Sequence, residues 1–148
     1  MSTRTKALKF GSLTRRTGFH VRLAQIKIFK NFEALMAELD LTPPVYSVLE
    51  ILHLNPGITP TQLADAILLD RSSVVPLIDK LVARGVIARE ISTTDRRVKH
   101  LALTAQGHAL LALAAERVEA HEKNLARLFT AAEHKTLLSL IERIHQAL

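Results

Sequence analysis

Residues 70–91, DRSSVVPLIDKLVARGVIAREI, decide the fold class because the spacing of their apolar residues changes at Gly85. Asp70 supplies an N-cap for a helix, and Gly85 suits the position just after its end. After Gly85 the apolar residues alternate with polar ones, which predicts a strand. Before it they recur at helical spacing, at Val74, Leu77, Ile78, Leu81 and Val82.

The segments on either side of this helix extend the pattern. A second alternating segment, residues 98–103, is separated from the first by polar residues 92–97, so the two strands predict a hairpin. Two short helices precede the helix, one after Thr42 and one after Thr59, where Thr59 and Gln62 form a capping box. Three short helices followed by a hairpin indicate a winged helix-turn-helix.

Longer amphipathic helices flank this unit, one before it and two after it. Their apolar stripes are too long for a small monomer to cover, which favours a homodimer. We therefore expect one domain that is mainly α with a small β-hairpin. Residues 13–40 and 104–148 form its helical dimerisation region, and residues 42–103 form a winged helix-turn-helix DNA-binding region.

The composition excludes several classes of protein. The chain has 148 residues, 48% of them hydrophobic and 23% charged, which suffices for one domain with a hydrophobic core. It has no cysteine, so disulfides, thiolate zinc sites and thiol redox chemistry are excluded. No apolar run reaches the roughly 20 residues that span a bilayer, and no signal peptide is recognisable. We expect a cytoplasmic protein with no membrane partner.

Catalytic and metal-binding motifs are missing from the sequence. It contains no glycine-rich phosphate loop, no G-x-S-x-G and no H-E-x-x-H. Its seven histidines are dispersed, although distant ones could still meet in space. We expect no enzyme activity, no metal site and no cofactor.

Basic and acidic residues are divided unevenly along the chain. Residues 1–32 hold eight Lys or Arg and no acid, whereas residues 33–70 hold six acids and no Lys or Arg. Residues 71–99 have seven basic and three acidic residues, a net +4, and residues 100–148 have five of each. These blocks favour a polyanionic partner, with a solvated basic surface as the alternative.

The outward face of the helix after Asp70 is suited to DNA. Such a helix fits the major groove, with its N-terminal residues at the base edges. Arg71 can donate two hydrogen bonds to guanine, and Val75 can contact a thymine methyl. The predicted contacts from the helices are Thr59, Thr61, Gln62, Arg71, Ser72, Ser73, Val75, Pro76 and Lys80.

Several of these residues have a structural alternative. Ser72 and Ser73 could cap the first turn of the helix, and Arg71 could be a solvated surface charge. Pro76 removes a backbone hydrogen bond inside the helix, so it is either a local defect or a means of aiming the first turn.

Five segments occur in an order that is typical of one family, namely residues 41–49 (LTPPVYSVL), 57–64 (GITPTQLA), 70–81 (DRSSVVPLIDKL), 95–97 (DRR) and 101–107 (LALTAQG). They resemble, in turn, the second helix, the third helix, the recognition helix, the wing and the strand-to-helix connection of the MarR family of bacterial transcription regulators. The resemblance implies a homodimer whose first and last two helices form the dimer region and whose winged region binds DNA.

The resemblance also assigns roles within the predicted hairpin. Arg97 corresponds to the wing arginine that enters the minor groove, and Asp95 to the residue that positions it. Arg96 and Lys99 then fit phosphate contacts, which give affinity rather than sequence selectivity. A solvated hairpin tip is the alternative.

A ligand site is implied near the first helix. Regulators of this family sense small molecules, often aromatic acids, between the dimer helices and the winged region. Residues 18–25 (GFHVRLAQ) resemble the first-helix start of members that respond to aromatic acids or their CoA thioesters. A solvated helix face is the alternative. The candidate ligand residues are Arg15, Arg16, Phe19, Arg22, Ile26, Lys27 and Phe29.

Together these features predict a ligand-controlled repressor that binds an inverted-repeat operator in double-stranded DNA as a homodimer. The small-molecule effector would be an anionic aromatic acid or its CoA thioester. The alternative is a winged helix that pairs with another protein and never binds DNA. The net +4 of residues 71–99 favours DNA, because a protein-docking wing has no need of it.

Overall fold

The computed structural model describes residues 8–91 and 99–147, which are mostly helical and include one antiparallel pair of strands. Short 3-10 helices cover Gly11–Arg15 and Ala37–Leu39. The other elements, in chain order, are α1 (Thr17–Leu35), α2 (Pro43–Leu54), α3 (Pro60–Ala66), α4 (Arg71–Ala83), β1 (Ile87–Ile91), β2 (Lys99–Leu103), α5 (Ala105–Ala126) and α6 (Ala131–Ala147). The predicted fold class is confirmed.

Local sequence signals determine most of the helix ends. Asp70 accepts a hydrogen bond from the backbone N–H of Ser73 at 2.9 Å and so caps α4, and Thr59 and Gln62 form the predicted capping box on α3. Thr104 caps α5 in the same way. Gly85 has φ +71°, which is the left-handed conformation that ends α4.

The hairpin pairs as the alternation predicts. Ile87 lies opposite Leu103 and Ile91 opposite Lys99. Ile58, just before α3, adds a further bridge to Leu101, so the second strand is held on both sides. Leu101 is fully buried, and this pairing fixes the hairpin against the helices.

One hydrophobic core connects the helices with the hairpin. The predicted inner face of α4 is confirmed, because Val74, Ile78 and Leu81 are fully buried and the other two predicted residues are partly buried. Met36, at the end of α1, is also fully buried in this core.

The first helix is shorter than the sequence predicts. A helix from Leu13 to Leu39 is expected, but α1 runs from Thr17 to Leu35. Before it, Gly11 has φ +56° and starts a separate 3-10 turn. After it, the 3-10 helix Ala37–Leu39 ends at Asp40, a non-glycine residue in the left-handed conformation with φ +47°.

The third helix is also shorter than predicted. A helix to Leu68 or Leu69 is expected, but α3 ends at Ala66. Leu68 adopts φ +54°, and the N–H of Leu69 turns back to the carbonyl of Ala64 at 3.0 Å. These features make the tight turn that brings α4 across α3.

The outer helices leave apolar residues exposed in the protomer. On α6 they include Leu138, Leu140, Ile141 and Ile144, which are 42–55% exposed. Such a face needs a partner surface. None of the helices in the described ranges is both long and apolar enough to pass through a bilayer.

Candidate DNA interface and effector site

The N-terminal half of α4 presents an exposed surface on a helix whose inner face is fixed. Arg71, Ser72, Ser73, Val75 and Pro76 are all exposed, and Val75 is 44% exposed despite being apolar. Because the inner face is packed, these five side chains form a ridge of fixed orientation. The helix continues through Pro76 to Ala83.

The two serines also have a structural role. The Ser72 hydroxyl donates a hydrogen bond to the Asp70 carboxylate, and the Ser73 N–H donates to the same oxygen. These hydrogen bonds, that of Ser72 first, lower the pKa of Asp70 below its ordinary value. The Ser72 hydroxyl therefore supports the capping alternative for that residue, whereas Ser73 takes part through its backbone N–H. The exposure of both residues leaves DNA contact as a prediction.

Two predicted contacts around α3 are engaged with each other. The Gln62 side-chain oxygen accepts hydrogen bonds from the N–H of Thr59 at 2.9 Å and from its hydroxyl at 3.1 Å. Thr61 is exposed at the same helix start. The polar groups of Thr59 and Gln62 thus serve the cap, and their contact with DNA stays a prediction.

Basic side chains near α4 form ion pairs that the sequence does not reveal. The Lys80 ammonium lies 3.8 Å from an Asp40 carboxylate oxygen, although 62% of its side chain is exposed. Arg89 of β1 pairs with Asp79 of α4 and joins the hairpin to the recognition helix. The helical spacing places Asp79 outward, but nothing in the sequence indicates its partner.

The wing is described only at its base. Lys99 is exposed at the start of β2, opposite Ile91. The predicted wing residues Asp95, Arg96 and Arg97 lie outside the described residues. Their roles stay predictions.

The candidate ligand residues lie in α1 and in the two residues just before it. Arg15, Arg16, Arg22 and Lys27 are exposed. The apolar members, Phe19, Ile26 and Phe29, are partly buried. The ring of Phe19 packs on those of Phe10 and His20, with centroids 6.0 and 5.7 Å away. This segment therefore combines exposed positive charge with aromatic surface.

A cavity of about 630 Å³ opens between α1, α5 and α6. Of the seven candidate ligand residues, Lys27 lines it, so the predicted site and the cavity meet at its rim. The sequence does not predict the rest of the lining, because α5 and α6 join it only through tertiary packing. The lining is mainly apolar, with Ala24, Ile28, Leu125, Leu128, Phe129, Leu137, Leu138 and Ile141 beside the polar Asn31, His121, Glu122, Asn124 and His134.

His121 is a buried polar residue in the wall of this cavity. It is 4% exposed and packs edge-on against Phe32, with ring centroids 5.8 Å apart. Its Nδ1 lies 3.5 Å from a Glu122 carboxylate oxygen and has no hydrogen-bond partner among the described residues. The only signal in the sequence is a histidine in an otherwise apolar stripe.

Tyr46 also packs against Phe32, with ring centroids 6.0 Å apart. Its hydroxyl donates a hydrogen bond of 2.5 Å to Glu50. Burial, followed by this carboxylate, raises the pKa of Tyr46 above its ordinary value, so the hydroxyl stays protonated.

Comparison with known proteins identifies the family. The model of the MarR family matches residues 39–98. A putative transcriptional regulatory protein for the hcr operon of Thauera aromatica is 34% identical over 140 residues, which cover 94% of this chain and 84% of the relative. The chain belongs to the MarR family. Its matched MarR relatives are transcriptional regulators rather than enzymes.

Solved MarR structures share the whole fold. The transcriptional repressor CouR bound to a 23-mer DNA duplex is 36% identical, with a TM-score of 0.89 over 94% of this chain and 99% of that one. CouR bound to p-coumaroyl-CoA is 33% identical, with a TM-score of 0.90 over 96% and 100% of the two chains. The family resemblance predicted from the sequence is confirmed.

Proposed function

We propose that this chain is a ligand-responsive repressor that binds an inverted-repeat operator as a homodimer and leaves it when an aromatic effector binds. The observation that carries the proposal is the fixed, exposed ridge of α4 in a chain that shares its fold with DNA-bound CouR over 94% of its length. The same match favours DNA over a protein-docking role.

On DNA, the ridge would enter the major groove and the wing the minor groove. Arg71 would donate to guanine and Val75 would contact a thymine methyl. Ser72 and Ser73 would contact bases or phosphates while keeping their bonds to Asp70. Arg97 would reach the minor groove, and Arg96 and Lys99 would contact phosphates, which adds affinity for any sequence.

Dimerisation would involve residues 13–40 and 104–148, which include Leu140 and Ile144, exposed apolar residues of α6 that do not line the cavity between α1, α5 and α6. One recognition helix per protomer then gives two half-sites about 34–36 Å apart. The cytoplasmic location of the protein is part of this proposal.

The effector would be a CoA thioester of an aromatic acid, or the acid itself. CouR supports the thioester, since one structure of that repressor holds p-coumaroyl-CoA. The cavity between α1, α5 and α6 offers apolar space for the acyl group, and Lys27 marks its rim. The exposed Arg15, Arg16 and Arg22 supply the cations that the phosphates of CoA require.

The test is to titrate p-coumaroyl-CoA, benzoyl-CoA, their free acids and CoA alone into the protein–operator complex. We expect at least one aromatic thioester to weaken operator binding about tenfold or more, which requires about 1.4 kcal/mol of coupling. Arg16→Ala/Arg22→Ala should need a higher thioester concentration, because phosphate contacts are lost. Lys123→Ala, which removes an exposed pair with Glu119 on α5, is the matched control. Release by none of these ligands, or wild-type behaviour of the double variant, would contradict the proposed effector site.

A further inference from the structure

Two arginines from distant parts of the chain hold the segment that connects α1 to α2. We call this segment, residues 35–41, the junction. Arg117 of α5 donates a hydrogen bond to the Leu35 carbonyl at 3.1 Å and another to the Glu38 carboxylate at 2.7 Å. The guanidinium thus binds the end of α1 and the turn that follows it.

Arg84, at the end of the recognition helix α4, binds the other end of the junction. It donates to the carbonyls of Leu39 and Asp40 at 3.0 and 2.9 Å. Its Nη1 also lies 3.4 Å from the Asp40 carboxylate. A planar guanidinium suits this arrangement because its donors are fixed relative to one another. Asp40 holds the exposed left-handed turn that presents these oxygens.

Two buried apolar residues, Met36 and Leu41, anchor the junction in the core. Met36 and Leu41 are 0% and 2% exposed, so their packing in the core restricts movement of the junction relative to the two arginines. The main packing partners of α4 are α3 and β1, whereas α5 packs most on α2 and also on α1 and β2. The junction is therefore a place where a dimer-region helix and the recognition helix hold the same few residues.

The same junction lies next to the cavity. Phe32 is buried one turn before it and packs on His121, which lines the cavity wall. A shift of α5 relative to α1 would therefore act on Phe32 and on the two oxygens that Arg117 holds.

We propose that the junction couples the dimer region to the recognition helix, with Arg117 and Arg84 as its two positioning residues. Together with the packing of α5 on α2 and β2, they fix the orientation of the winged region relative to α1 and α5, and so contribute to the spacing of the two recognition helices in the dimer. A ligand that prefers another arrangement of α1 and α5 changes this spacing through them. The inference rests on the proposed function for the dimer and for the effector.

The first experiment measures the spacing without DNA or ligand. The chain has no cysteine, so Val75→Cys introduces one attachment site for a spin label on each α4. The distance between the two labels is expected near the separation of about 34 Å that adjacent half-sites require. Electron spin resonance then gives the width of the distance distribution.

We expect Arg84→Ala and Arg117→Ala each to broaden this distribution. The double variant should broaden it by less than the sum of the two single effects, because both residues act on one segment. Asp79→Ala is the matched control, since it breaks an exposed ion pair between α4 and β1 and leaves the junction alone.

Circular dichroism at the same concentration checks the fold. If Arg117→Ala is unfolded, Glu38→Gln, which alters an 81% exposed side chain, tests the same contact. An unchanged distribution in the folded Arg84 and Arg117 variants, or equal broadening by Asp79→Ala, would overturn the proposal.

The second experiment separates this inference from the proposed function. In the chain without the spin label, the ratio of operator Kd with and without p-coumaroyl-CoA measures the coupling. We expect Arg117→Ala to reduce this ratio about fivefold or more. Wild-type ratios in both arginine variants would overturn the coupling role. Absence of release from the wild type would contradict the proposed effector, and the spacing measurement would still decide the positioning role.

Discussion

The Thr104 hydroxyl donates a hydrogen bond of 2.6 Å to the carbonyl oxygen of Gly85. The same hydroxyl accepts a hydrogen bond from the N–H of Gly107 at 3.0 Å, which caps α5. One side chain thus joins Gly85, just after the end of α4, to the first turn of α5. The N–H of Thr104 also donates to the Val86 carbonyl at 3.2 Å, so the contact is held by the backbone as well.

We expect Thr104→Ala to lower the free energy of unfolding by about 1–2 kcal/mol, because a helix cap and a partly buried hydrogen bond are both lost. Urea unfolding at one fixed protein concentration measures the change, since the stability of a dimer depends on concentration. Thr104→Ser keeps the hydroxyl and should retain most of the stability. Equal losses in the two variants would show that the methyl group, not the hydroxyl, matters.

Gly107→Ala should be more damaging than Thr104→Ala. A Cβ at residue 107 would lie 2.1 Å from the Val86 carbonyl oxygen. The backbone would have to move to relieve this steric clash. We expect a drop in Tm of several degrees or loss of soluble protein. Gly18→Ala is the control, since its Cβ would meet nothing within 4 Å in the described part of the chain. Because residue 18 lies in α1, Gly18→Ala should raise the free energy of unfolding by up to about 1 kcal/mol. A Gly107→Ala variant as stable as the wild type would contradict this close packing.

The sequence predicts the helix ends well because caps are local. Asp70, Thr104 and Thr130 each bond to a backbone N–H three residues later, and that chemistry is visible in the residue types. The start of α1 is missed because the apolar spacing before Thr17 is also compatible with a 3-10 turn. The early end of α3 depends on the left-handed Leu68, which no residue preference indicates.

For the candidate site too, the sequence predicts the features that depend on local spacing and misses those that depend on contacts between separate elements. The exposed ridge of α4 follows from helical spacing, whereas the pairs Asp79–Arg89 and Asp40–Arg84 depend on contacts between separate elements. The cavity is missed for the same reason, since α5 and α6 meet α1 only after folding. Among the candidate ligand residues, Lys27 is the one that the tertiary structure places in its lining.

The lowered pKa of Glu133 predicts how the stability of α6 depends on pH. Its carboxylate accepts bonds of 2.8 Å from the N–H and the hydroxyl of Thr130, and these, the backbone bond first, lower its pKa below the ordinary 4.5. The contribution is complete above pH 4.5 and is lost as the pH falls through the lowered value. Carboxyl NMR titration measures that pKa. Glu133→Gln keeps an accepting oxygen and should remove this pH dependence; an ordinary pKa for Glu133 would refute the cap.

Arg71→Ala and Lys99→Ala should have different effects on DNA binding. Loss of a base contact by Arg71 is expected to cost about 1–3 kcal/mol and to relax selectivity at one operator position. Loss of a phosphate contact by Lys99 should weaken all sequences alike and reduce the salt slope by about one. Operator variants with single base changes, titrated at several salt concentrations, distinguish the two. Equal losses on operator and random DNA for both variants would place the base contacts elsewhere.

The central claim is that the dimer recognises a specific inverted repeat through the α4 ridge. The most direct measurement is the ratio of Kd values for random DNA and for an operator selected from a random library, at one physiological salt concentration. We expect a selected site with two half-sites about 10 base pairs apart and a ratio of about 10³ or more. Selection of no common sequence, or equal affinity for the selected and random duplexes, would contradict it.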